Sequence, residues 1–282
     1  MEQLATGFGL IEGPVWDPAR GLLFSDVRNG GVHLLDRAGT VSLVVPKRRG
    51  IGGMALHAQG GLVVGGRDIA HVMPDGSTRT LLAQADIPAA TGFNDLTTDA
   101  AGRVYVGSLA FAVFGGEAPK PGYLHVIDLD GTMRTLSDGV LLTNGLGFSP
   151  DGRHLHHSAG GGIVRIYDVN ADGSVSPWRT FASLLPDGVP DGLKVASDGS
   201  VWVANARGGC VAVFDGSGVH LRDIAVPLPM VTSVCFGGDD LRDLYIVTGS
   251  RGGPSENCGS IFRTRVDVAG LSLSPARVQL AG

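Results

Sequence analysis

Charge is scarce in this chain. Only 17% of its 282 residues are Asp, Glu, Lys or Arg, against about 25% in an ordinary domain, so much of the sequence is built for an interior. The formal net charge is −5 and the one basic run is Lys47-Arg48-Arg49. That run reads as a solvated loop or as a guide for an anionic ligand, and it is too short to make a nucleic-acid face or a membrane-binding surface. Neither nucleic acid nor membrane is expected as a partner. Three irregularly spaced cysteines, Cys210, Cys235 and Cys258, exclude a disulfide framework and a zinc knuckle. Cys210 and Cys235 sit in apolar runs and read as small packed hydrophobes, Cys258 as a free thiol in a glycine-rich loop. No apolar stretch approaches the roughly 20 residues that span a bilayer. Met1 to Leu10 lacks the charged start and apolar run of a secretory signal. The expectation is a cytoplasmic protein.

Also missing is any window with sustained helical periodicity and caps. The familiar signatures of nucleophilic, phosphate-binding and zinc-protease chemistry are absent: no Gly-x-Ser-x-Gly, no glycine loop ending in Lys-Ser/Thr, no His-Glu-x-x-His.

Glycine is what the chain has in excess, with 45 residues, about twice the usual share. Without periodic proline this means many tight turns. The stretch Asn144-Gly145-Leu146-Gly147-Phe148-Ser149-Pro150-Asp151-Gly152 sets a pattern: a slot at Asn144, an apolar residue two places later, a short strand, a Pro-Asp-Gly turn and a second strand from His154. The same register puts Glu12 ahead of Pro14, Gly52 ahead of Met54, Asn94 ahead of Leu96, Asp191 ahead of Leu193 and Thr232 ahead of Val234. Slots recur every 40 to 50 residues or so, the period of propeller blades. Each interval carries further apolar, β-branched strands such as Val104-Tyr105-Val106 and Val201-Trp202-Val203, separated by Asp/Gly turns. Six four-stranded units, none able to bury its faces alone, give an all-β fold, a six-bladed β-propeller spanning residues 1–282 as one domain.

In a radial arrangement the six slots form one ring. Glu12, Asn94, Asn144 and Asp191 then converge as oxygen donors suited to one hard divalent cation, Ca²⁺ first, with Mg²⁺, Mn²⁺ or Zn²⁺ as alternatives. Only four glutamates occur, and Glu12 lies in an apolar run where a carboxylate needs a cation or donors. Two other features stand out. In His154-Leu155-His156-His157 strand alternation sets His157 opposite its neighbours, which suits either a substrate contact or packing. The insertion Phe111 to Gly122, containing Glu117, breaks the blade rhythm and reads as a surface loop or as a lid over the ring.

Four landmarks in chain order, Glu12-Gly13-Pro14-Val15-Trp16, Phe93-Asn94-Asp95, Asn144 to Gly152, and Pro190-Asp191-Gly192-Leu193, resemble those of the gluconolactonase, regucalcin and luciferin-regenerating-enzyme family. The resemblance implies a six-bladed propeller with one divalent ion at the channel mouth. It implies Glu12, Asn144 and Asp191 as metal ligands, Asn94 as a further ligand or substrate contact, Asp191 also as general base, and the Glu117 insertion as the substrate-side loop. Two positions depart from the family pattern: Gly92, where sugar-lactone members often carry arginine, and Ala159, where aspartate is common. They leave the metal set complete and point toward a less polar lactone or ester, or an altered reaction.

The expected activity is metal-dependent hydrolysis of a lactone, a small-molecule substrate, by a monomer. An ester or phosphotriester hydrolase, a lyase or isomerase on the same scaffold, and a non-catalytic metal-binding propeller are the alternatives. Asp191→Asn is expected to nearly abolish turnover, and Gly65→Ala, outside the slots, to leave it intact.

Overall fold

The computed structural model describes residues 1–184 and 186–279. It is all-β, with six four-stranded antiparallel sheets arranged as the blades of a propeller. The strands nearest the axis are Ile11–Asp17, Met54–Leu56, Gly92–Thr98, Leu146–Phe148, Pro190–Val195 and Val231–Gly237. Each begins within a few residues of a sequence slot. Among the described residues the helical content is one three-residue 3-10 turn, Gln84–Asp86.

Numbered I to VI in the order of these inner strands, blades I to V each run outward in chain order, but blade VI does not. Its strands Val231–Gly237, Asp243–Thr248 and Gly259–Arg265 come from the end of the repeats, and its outermost strand is Glu2–Phe8 from the N-terminus. The register pairs Gln3 with Phe262 and Thr6 with Ser260. Asp26 fixes the exit of this closing strand: its carboxylate accepts the Gly9 N–H at 3.0 Å and the Asn29 amide at 2.8 Å. Burial alone would raise the Asp26 pKa, yet donors from Asn29, Gly9 and Leu10 hold it below the ordinary value.

The core is distributed between blades. One cluster joins blades I and II through Val15, Leu23, Ile51, Met54 and Val64, and another joins V and VI through Trp202, Val213, Val234 and Ile246. Each fully buried Val, Leu or Ile contributes roughly 1.5–3 kcal/mol, so no blade is stable apart from its neighbours. Beyond blade VI the chain turns back across the end of the propeller opposite the slots. Gly270 bridges to Ala196 of blade V, the Ala276 N–H donates to the Leu56 carbonyl of blade II at 2.8 Å, and the Arg277 N–H donates to the Gly102 carbonyl of blade III at 2.8 Å. This strap spans the channel floor.

Candidate functional site

The slot residues do meet at the axis, and β-bulges are the local reason. Register shifts fall between Glu12 and Val15, between Phe93 and Leu96, between Pro190 and Leu193, and between Val231 and Ser233. A bulge bends its strand and re-aims a side chain that regular alternation would turn toward a neighbouring blade.

Hydrogen bonds run from blade to blade. Asn94 Nδ2 donates to Asn144 Oδ1 at 2.8 Å and to the Thr143 carbonyl at 2.7 Å. Asn144 Nδ2 donates to the Pro190 carbonyl at 3.3 Å, and the Gly145 N–H to the Asp191 carbonyl at 3.1 Å. Thr232 closes the circle with its hydroxyl on the Ile11 carbonyl at 2.6 Å. Gly52 supplies space, since a β-carbon there would overlap Asn94 Oδ1. Gly65 is no bystander either: its added β-carbon would stand 2.8 Å from the Asn94 carbonyl oxygen. The expectation that alanine at Gly65 is neutral is therefore withdrawn, because backbone cannot yield there as a flexible side chain would.

Three acids share this region. Burial first, then the charges of Asp191 and Asp95, push the Glu12 carboxyl well above the ordinary range, with only the Gly13 N–H opposing. Burial and the charge of Asp95 do the same to Asp191, against the Gly192 N–H. Asp95 is pushed up to about 6 by burial, while Lys194 and the Leu96 N–H pull it down. Asp95 belongs to the Phe93-Asn94-Asp95 landmark without an assigned role, and strict alternation would turn it away from the side that Asn94 faces. The bulge at this point was the missing signal.

Among the described residues no group of three or more His, Cys, Asp or Glu is placed to hold a metal ion. The donor set at the ring is instead two carboxylates and two amides, and its chemistry fits a hard divalent cation. Glu12 and Asp191 repel each other in a desolvated place, Asn144 Oδ1 has among the described residues only the Asn94 amide as donor, and a cation removes the repulsion that raises both acids.

The other candidates lie apart from the ring. His157 is fully buried behind it, with Nε2 2.9 Å from Thr143 Oγ1, and burial with the charge of Arg165 pushes its pKa down to about 3. Glu117 is exposed on the insertion, its carboxylate 3.8 Å from Lys120 Nζ and 3.5 Å from the Ala112 N–H. That insertion leaves strand Val104–Leu109 at Leu109, which pairs with Gly92, so it rises from the slot end of blade III. Gly92 is buried against the Gly66 carbonyl, with the Cα of the exposed Arg67 3.7 Å from where its β-carbon would be. Ala159 is buried and its carbonyl accepts the Leu142 N–H at 3.4 Å.

Residues 10–250 match the model of the SMP-30/gluconolactonase/LRE-like region. The chain belongs to that family. It is 34% identical to pentonolactonase XacC of Haloferax volcanii, covering 94% of each chain. It is 32% identical to a 6-deoxy-6-sulfogluconolactonase of Pseudomonas putida, over 93% of each. A solved luciferin-regenerating enzyme superposes with a TM-score of 0.87 over 98% of both chains at 23% identity, which speaks to the shared fold.

Proposed function

We propose that this family member is a divalent-metal-dependent lactonase whose site is the ring of Glu12, Asn94, Asn144 and Asp191. The observation that carries the reading is the pair of desolvated, mutually repelling carboxylates beside two amides at the axis. The relatives named as lactonases supply the reaction class.

Glu12, Asn144 and Asp191 hold the ion, with Ca²⁺ first in order because every donor is oxygen. When bound, the ion polarises the lactone carbonyl and lowers the pKa of water. Asn94 orients the substrate through its amide, which the Thr143 carbonyl and Asn144 keep in place. Asp191 takes the proton of the attacking water. The water oxygen bonds to the carbonyl carbon, the ring C–O bond breaks, and the proton taken by Asp191 passes to the departing alkoxide, giving a hydroxy acid. His157 serves from behind by steadying Thr143, and the Glu117 insertion covers the substrate side. With no side chain at position 92, this part of the wall favours substrates less polar than a sugar lactone, or leaves their hydroxyls to Arg67 nearby.

The test is turnover after chelation. Restoring Ca²⁺, Mg²⁺, Mn²⁺ or Zn²⁺ singly, with proton release followed on lactones of graded polarity, is expected to return activity with at least one ion. Glu12→Gln is expected to lose it, and Asp191→Asn to lower kcat by about 10² to 10⁴. Metal binding without turnover of any lactone or ester would leave a non-catalytic propeller as the better description. Activity indifferent to chelator would remove the metal.

A further inference from the structure

On the far side of the propeller from the carboxylates, the channel widens into a cavity of about 270 Å³. Its walls are the ends of five axial strands, among them Val15, Trp16, Phe148, Val195 and Phe236, and its floor is strap residues Leu271 to Pro275. Strap and wall are tied together: Thr98 Oγ1 donates to the Ser274 carbonyl at 2.5 Å, and Ala276 N–H to the Leu56 carbonyl. The lining is mostly hydrocarbon. It contains no acid, and its one ionised side chain is Lys194.

That lysine is unusual in its surroundings. It is half-buried, and among the described residues no carboxylate lies within 4.0 Å of its ammonium. Its charge is felt by Asp95 above and by the Cys235 thiol beside it, both without a direct bond. A cation in an apolar enclosure with no ion-pair partner is unfavourable unless an anion joins it. Strap residues Leu271 to Pro275 form one side of the cavity and add to its apolar lining.

We propose that this cavity is a binding site for a small amphiphilic monocarboxylate, with the carboxylate on the Lys194 ammonium and the hydrocarbon against Trp16, Phe148 and Phe236. An apolar cavity of about 150 Å³ takes a benzene ring, so by proportion this one holds roughly ten carbons. The site is separate from the carboxylate ring and does not depend on the lactonase reading.

The experiment is calorimetry on the metal-free full chain with butanoate, hexanoate and octanoate, no lactone present. One equivalent is expected to bind, tightening by up to about fourfold per added buried CH₂. Octyltrimethylammonium, of the opposite charge, is expected not to bind. Lys194→Met keeps the stem and removes the charge, and is expected to weaken octanoate by roughly tenfold or more. A second readout does not rely on that variant's folding: 8-bromooctanoate is expected to quench tryptophan emission saturably, through Trp16 in the wall and through Trp202, which packs at 5.3 Å on the wall residue Phe236 and stands opposite Lys194 in its sheet, and Trp16→Phe is expected to reduce the saturable part. Absence of saturable binding overturns the proposal. So does equal affinity in a folded Lys194→Met, or saturable quenching left undiminished by Trp16→Phe.

Discussion

Gly52 is the slot without a side chain, and its neighbour explains why. The Asn94 amide fills the volume that a β-carbon at position 52 would occupy, and it is held there by bonds to Thr143 and Asn144. Gly52→Ala is therefore expected to push Asn94 out of the ring while leaving the blades folded. With a misplacement near 1 Å costing up to about a hundredfold, kcat/KM on the best lactone should fall by that order, with the thermal midpoint little changed. Full activity in Gly52→Ala would show that the observed position of Asn94 is not used. The same small region shows how much of a site a sequence can display. The convergence of Glu12, Asn94, Asn144 and Asp191 at the axis is legible because each sits at a constant offset before an apolar strand, and a repeated offset becomes a ring once repeats close. Asp95 was not, because its contribution depends on a bulge, and a bulge is set by pairing with a strand some ten residues away. His157 carried the opposite ambiguity: alternation showed that it faces away from His154 and His156, but only packing shows that this side is solid interior behind Thr143.

The elements divide the same way. Strand and turn signals inside each blade are local, and the observed strands Val104–Leu109 and Val201–Asn205 contain the apolar triplets that announce them. The N-terminal strand and the strap carry no comparable signal. Glu2–Phe8 has only partly buried or exposed residues, and its partner lies some 250 residues away. The strap pairs through isolated bridges and single hydrogen bonds, so it never develops a period. Closure by Glu2–Phe8 has a measurable consequence. The Thr6 and Ser260 side chains touch, at 2.9 Å between hydroxyls across a separation of 254 residues. A disulfide made by Thr6→Cys and Ser260→Cys, in a Cys258→Ser background to prevent mispairing, would close nearly the whole chain into one loop. The chain-entropy model gives about 5 kcal/mol for so long a loop, with native strain reducing it. Oxidised protein is expected to melt well above the same protein reduced. Equal midpoints would mean that blade VI does not open in the unfolding step that limits stability.

For the whole molecule, two sets of buried groups oppose each other as pH changes. Burial pushes His125 and His156 down to about 4 and His157 to about 3. Below the ordinary value of about 6.5 the unfolded chain takes up these protons and the fold does not. Their contribution to stability is thus full at neutral pH and declines as pH falls from about 6.5 toward 4, by up to about 1.4 kcal/mol per pH unit for each histidine. The raised acids Glu12, Asp95 and Asp191 act with the other sign. In the metal-free protein the folded state takes up their protons first, so they favour the fold as pH falls toward the ordinary carboxylate range near 4. A bound divalent ion keeps the ring carboxylates ionised and removes much of that compensation, and protonation then also competes with the ion. Melting curves from pH 7.5 to 4.5 are expected to vary little in chelator, where the two sets offset. With saturating ion the midpoint should start higher and fall steeply on acidification, until the two series converge. Parallel series would mean that the ion binds away from Glu12 and Asp191. A steep fall in chelator as well would mean that the histidines outweigh the acids, and that the axial carboxylates are less strongly desolvated than their burial requires.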